Sequence, residues 1–239
     1  MGGTWRQAWS IVGRELKIDR YYVMASLLFI AYMGFFTGMF IGEMPERGSL
    51  LLMLDLLFWA IASMAGYYFS RRITKYITED SYTSMLGYYR TLPISASVLA
   101  AARMLQLLLS TLCNGTILFV VMYLVHDGVR TQMNLGAYLV FALTWTAFGL
   151  AFNSLYILLE LLMRGRAYFW YSCVLLVVME LIVLIAHYSG WSFVGSSIRI
   201  SAERGAASPA LWILLILAAS AIVVSYRIIV QRLPRRDLA

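Results

Sequence analysis

Residues 71–103 read RRITKYITEDSYTSMLGYYRTLPISASVLAAAR, the longest stretch of the chain that cannot lie in a lipid bilayer. It holds five of the nineteen Lys/Arg residues and a polar centre of Thr78, Glu79, Asp80, Ser81, Thr83 and Ser84, and Thr91-Leu92-Pro93-Ile94-Ser95 interrupts it. Nearly uncharged apolar runs flank it on both sides. The pattern predicts a short helix over 78–90 that surfaces between two membrane spans and is handled there by a partner.

Working outward, the chain is 62% hydrophobic and 13% charged, whereas about a quarter of a soluble domain is charged. Its mean hydropathy is +0.76. Apolar runs long enough to cross about 30 Å of hydrocarbon as helices fall at 21–41, 50–70, 104–125, 135–159, 167–186 and 209–226. The expected fold is an all-α integral membrane protein of six spans in a single transmembrane domain. Residues 4–20 precede the first span. Trp5, Trp9, Val12 and Leu16 recur there at helical spacing, with Arg6, Ser10, Arg14, Lys17 and Arg20 over much of the remaining surface, as in an amphipathic helix lying in the interface plane. The region lacks the continuous apolar core of a signal peptide.

Lys and Arg collect on the inner side of membrane proteins. With the N-terminus inside, the inner segments hold Arg6, Arg14, Lys17 and Arg20; Arg71, Arg72, Lys75, Arg90 and Arg103; Arg164 and Arg166; and Arg227, Arg232, Arg235 and Arg236. The outer loops keep Arg47, Arg130, Arg199 and Arg204. Both termini are therefore expected in the cytoplasm. The net charge of +7 is then a topology signal, reinforced by anionic lipid, and requires no nucleic acid. Cys113 and Cys173 lie in apolar runs, without disulfide or metal spacing.

No G-x-x-x-x-G-K-[ST] phosphate-binding loop is present, so no ATPase site of that kind is expected in the chain. Asp127-Gly128 followed by Arg130 reads as a turn rather than the start of a phospholipid-synthase motif. His126 and His187 sit at span ends, unsuited to intramembrane proteolysis. Two carboxylates do fall inside spans, where charge is costly enough to raise a functional question. Glu180, about two-thirds across the fifth span, either lines a translocation path, hydrogen-bonds between spans or pairs with another chain. Asp55, near the outer end of the second, is expected to form a rim ion pair with Arg47 or Arg130, or to border the same path. Glu160 and Arg164 are spaced as a surface pair. Arg71, Arg72 and Arg103 can snorkel from span ends. Tyr21, Tyr22, Tyr67, Tyr68, Tyr168, Trp170 and Tyr171 read as interfacial belts. Tyr88 and Tyr89, in the central loop, are placed to wedge into a partner.

The amphipathic helix, the six spans with both ends inside, and the loop Thr78-Glu79-Asp80-Ser81-Tyr82-Thr83-Ser84-Met85-Leu86 followed by Leu92-Pro93-Ile94-Ser95 and Arg103 together resemble the permease subunit of type-2 ABC transporters. In size the chain is similar to the small Gram-positive members that export cytolytic amphipathic peptides. The resemblance implies a coupling helix whose residues Glu79, Asp80, Ser81, Tyr82, Thr83, Ser84, Met85, Leu86, Tyr88 and Tyr89 dock on a separate ATPase, present in two copies. It implies an interfacial helix (Trp5, Trp9, Arg14, Lys17) resting against the same partner and membrane lipid, and a second permease, identical or related. ATP and Mg would be bound by the partner, with no cofactor in this chain. The location implied is the bacterial cytoplasmic membrane, and the cargo a small peptide, toxin or antibiotic. Unlike many family members, the loop 187–208 is expected to hold no long re-entrant hairpin, only a brief interfacial segment at Gly190–Gly195. A membrane immunity protein that sequesters a peptide, and a proton-coupled carrier using Glu180, are the competing readings.

Overall fold

The computed structural model describes residues 2–43, 49–70, 80–92 and 94–236, with Ser49, Ser81, Tyr82 and Arg90 described in backbone only. Glu79, Arg47, Arg71, Arg72 and Lys75, which figured in the sequence reading, lie outside the described residues. Among the described residues the secondary structure is helical, without strands. These residues form ten α-helices: α1 (Gly2–Ile18), α2 (Arg20–Glu43), α3 (Ser49–Met64), α4 (Ser81–Thr91), α5 (Ala96–Val125), α6 (Asp127–Gln132), α7 (Leu135–Leu162), α8 (Gly165–Tyr188), α9 (Phe193–Arg204) and α10 (Pro209–Arg232). Helices α2, α5, α7, α8 and α10 are long and apolar enough to cross a membrane, and α3 is a shorter apolar helix. The chain is thus a multi-pass α-helical membrane protein by its helices.

The second expected span, 50–70, is not one continuous helix. Its helical part ends at Met64, and 67–70 run without regular structure. Gly66 passes so close to α7 that a Cβ there would fall 2.5 Å from side-chain carbons of Asn153. The backbone groups released by the break are taken up by neighbouring helices: Asn114 Nδ2 donates to the carbonyls of Ala65 (2.9 Å) and Tyr67 (2.8 Å), and Asn153 Nδ2 to that of Ala62 (2.8 Å). Irregular backbone at membrane depth survives only where protein satisfies it in this way. Two buried asparagines on other helices therefore accommodate the end of α3, and no window of residues 50–70 contains them.

Helix α5 begins eight residues before the expected start of the third span, because Ser95 opens a helix that carries Arg103 in its third turn. On one side α2 lies against α5 with almost no gap: a Cβ at Gly34 would stand 2.6 Å from the Leu118 carbonyl oxygen. Gly34→Ala is therefore expected to destabilise the fold by about 1–3 kcal/mol, the usual cost of overpacking. Gly13→Ala, with nothing within 4 Å of the new carbon, should be neutral or slightly stabilising. Melting both variants in detergent checks the contrast; equal midpoints would contradict the packing. On the other side α10 packs along α7 through Ala147, Ala151 and Ala218.

The segments between the long helices are more ordered than the sequence suggests. The His126-Asp127-Gly128 turn opens α6, where the exposed Asp127 bonds Arg130. That hydrogen bond and charge hold the Asp127 carboxyl below its ordinary range. The loop 187–208 contains α9, with Val194, Ile198 and Ser201 buried against the bundle. This corrects the expectation of a brief interfacial segment at Gly190–Gly195.

Candidate functional site

Helix α1 presents three faces. Ala8, Val12, Glu15 and Asp19 recur at i, i+4, i+7 and i+11, which stacks them on one side of a helix, and all four are buried. Ala8 and Val12 pack on Ala101, Ala102 and Leu105 of α5. Trp5 and Trp9 are half exposed on one flank, while Arg6, Arg14 and Lys17 are exposed elsewhere around the helix. The expected apolar face of Trp5, Trp9, Val12 and Leu16 is thus split, with Val12 turned to the protein and the tryptophans away from it.

The buried face of α1 carries Glu15 to Arg103. Arg103 Nη1 lies 3.2 Å from Glu15 Oε2, and Nε lies 3.7 Å from Glu160 Oε1 of α7. The same guanidinium donates to Gln106 Oε1 (2.6 Å) and Met85 Sδ (2.8 Å), and Tyr89 of α4 donates its hydroxyl to Glu15 Oε1 (3.1 Å). Arg103, Glu15 and Glu160 are all below a tenth exposed. Arg103 does not snorkel, and Glu160 is not on the surface. One guanidinium ties α1, α4, α5 and α7 together. Its planar fork can serve several acceptors at once, and buried charges are held only when paired. A cavity of about 30 Å³, room for about one water, lies alongside, lined by Asp19, Tyr67, Tyr68, Ser70 and Gln106 among others.

Helix α4 is bound on one side and open on the other. Met85 and Leu86 are buried on Leu99, Met104, Leu107, Ile157, Leu161 and Ile229, so they face the bundle rather than a partner. Tyr89 is half buried on Glu15. Asp80, in the left-handed region at φ 43°, caps the helix on Thr83 N and accepts from Gly165 N at 2.9 Å. Asp and Asn are the side-chain-bearing residues that visit this region most readily. The opposite stripe, Ser84, Gly87, Tyr88 and Thr91, has the i, i+3, i+4, i+7 spacing of one helix face. Ser84, Tyr88 and Thr91 are exposed, and a Cβ at Gly87 would meet open space. The expected docking set therefore divides, with Tyr88 outward and Met85, Leu86 and Tyr89 inward.

Asp55 forms no pair with Arg130, whose described partner is Asp127. It is fully buried and accepts from Phe193 N (3.0 Å), Val194 N (2.7 Å) and Ser192 Oγ (3.1 Å), closing the first turn of α9. A carboxylate there satisfies orphan donors and meets the positive end of the helix dipole. Trp145 Nε1 adds a bond to Ser197 Oγ at 3.0 Å. Glu180 is distant in sequence and role from both sites: its Oε2 is buried without a hydrogen-bond partner among the described residues, on a helix of which Gly165, Met179 and Val183 are the buried residues. A groove of about 310 Å³ follows α5 and α7, lined by Gly115, Thr116, Phe119, Tyr138, Ala142 and Thr146 with neighbouring leucines.

Comparison of the chain with protein-family models, with curated proteins and with solved structures finds no match. The functional reading accordingly rests on the residues. Sequence reasoning missed two site residues of α1 and its end, Glu15 and Asp19. The signal for both was present: they share a helix face with Ala8 and Val12, so the face aimed at the protein is half acidic.

Proposed function

We propose that the chain is the membrane-spanning subunit of an ATP-driven exporter, and that α4 is the element through which a separate ATPase moves it. The observation that carries this reading is the two-sidedness of α4. A helix of 11 residues keeps the stripe Ser84-Gly87-Tyr88-Thr91 open. Its other side is seated on α5, α7 and α10 and linked through Met85 and Tyr89 to the Arg103 node. A push on the open stripe passes into several helices at once, as a lever for alternating access requires. ATP and Mg belong to the partner, since the chain has no phosphate-binding loop. In this reading α3 with its broken end is the second of six spans, both termini are cytoplasmic, and the membrane is the bacterial plasma membrane. The subunit works beside a second permease. Its cargo is amphipathic or hydrophobic, such as a small peptide, toxin or antibiotic.

Purification of the chain from its native membrane, with an ATPase assay on whatever accompanies it, tests the reading. Tyr88→Ala is expected to weaken capture of the ATPase about tenfold or more, as loss of an aromatic anchor does, without lowering the melting point. Tyr89→Phe should do the reverse, leaving capture intact and lowering stability by about 1 kcal/mol. A chain that brings no ATPase with it would sink the proposal.

One observation favours a second reading. The Glu180 oxygen, without a hydrogen-bond partner among the described residues, suits a proton-coupled carrier, in which transport would survive ATP depletion and collapse with the proton gradient. Transport that stops on ATP depletion and persists after the proton gradient is collapsed would remove this second reading.

A further inference from the structure

Arg236 lies beyond α10, just after the short turn Leu233–Arg235, and Leu233 anchors that turn by being buried against α4, α5 and α7. Among the described residues its guanidinium reaches three acceptors on two other elements. Nη1 donates to the Leu161 carbonyl at 2.8 Å, and Nη2 donates to the Met163 carbonyl at 2.7 Å and to Thr83 Oγ1 at 2.8 Å. Leu161 and Met163 belong to the end of α7, whose last carbonyls have no partner within the helix. Thr83 belongs to the first turn of α4. Arg236 therefore caps α7 and grips α4 with one side chain. A second tie lies beside it, from Asp80 of α4 to the backbone N of Gly165, the first residue of α8.

We propose that Arg236 is a positioning residue that makes α4 move as one piece with the elbow between α7 and α8. By covalent connection alone, α4 leads through Leu92–Ser95 into α5, and a displacement of α4 would enter α5 first. The Arg236 fork and the Asp80 bond send the same displacement into the ends of α7, α8 and α10. The geometry, and not charge alone, is what the role needs: a guanidinium offers five donors in a rigid plane, a lysine three on one nitrogen. As a route for driving transport this rests on α4 being the driven element. As a mechanical tie it does not.

The test uses the full chain in lipid nanodiscs, with Cys113→Ser and Cys173→Ser and nitroxide labels on Ser84→Cys and Arg166→Cys, both exposed positions. The expected label-to-label distance distribution is narrow in the unaltered background. It should become at least twofold wider in Arg236→Ala and in Arg236→Lys. Thr83→Val removes the α4 acceptor while leaving α7 capped, so it should widen the distribution without lowering the melting point. An unchanged width in any of the three variants overturns the proposal. The measurement needs no partner, so its failure is separable from that of the transport reading. A chain whose variants widen but which recruits no ATPase keeps the tie and loses the exporter.

Discussion

Arg103→Met is expected to be the most damaging single change to the fold, at about 3–5 kcal/mol. That is the usual cost of removing one partner from a buried charge cluster. The substitution leaves Glu15 and Glu160, both nearly inaccessible, without the guanidinium 3.2 and 3.7 Å away. It also removes the donor to Met85 and Gln106. The loss is not of four independent contacts, since groups in one network couple. Arg103→Met combined with Glu15→Gln should recover a measurable part of the stability, because the second change removes the buried charge that Arg103 faced. A double-mutant cycle by thermal unfolding in detergent reads this directly. Strictly additive losses would mean that Glu15 and Arg103 do not act as a pair. Limited proteolysis of the same variants should show α1 released before the rest, since Glu15 is its polar hold on the bundle.

The second large effect is expected at Asp55. Asp55→Leu strands two backbone N–H groups and a hydroxyl at the start of α9. The buried Val194 N left unmet costs about 1–3 kcal/mol, and the part-buried Phe193 N and Ser192 hydroxyl together add about 1 kcal/mol, the size of a lost helix cap, so a loss of roughly 2–4 kcal/mol follows. Asp55→Asn, which keeps one acceptor oxygen, should fall between. Local release of α9 is the sharper readout. Val194 is fully buried, so Val194→Cys should resist a membrane-impermeant maleimide in the parent and react in the Asp55→Leu background. Equal labelling in the two backgrounds would mean that Asp55 does not hold this helix.

These two sites show what was legible in the sequence. The long helices were: the runs at 21–41, 135–159, 167–186 and 209–226 lie within α2, α7, α8 and α10, because apolar composition over a membrane's width is an average that local detail barely disturbs. The central helix was legible from its polar centre, displaced by a few residues. Charged residues were misjudged whenever their partner lay far along the chain. By its place at a span end Arg103 reads as an interfacial residue, but its partners lie 88 and 57 positions away, at Glu15 and Glu160. Asp55 was matched with arginines in nearby loops, whereas backbone groups of Phe193 and Val194 take it. Backbone donors carry no side-chain signature, so no reading of charges could have found them. The α3 break depends likewise on Asn114 and Asn153, two residues that look like ordinary polar interruptions of apolar helices.

The glycine-floored contact of α2 on α5 and the alanine-floored contact of α7 on α10 have a mechanical meaning. Packed cores shift between discrete arrangements rather than deforming smoothly. Neither pair has slack for sliding, so each behaves as a stiff beam. A groove of about 310 Å³ runs along α5 and α7, one helix from each beam, and the Arg103–Glu160 contact bridges them. The molecule is thus a two-bar linkage with a polar hinge pin. Tilting one bar against the other would widen that groove without bending either bar.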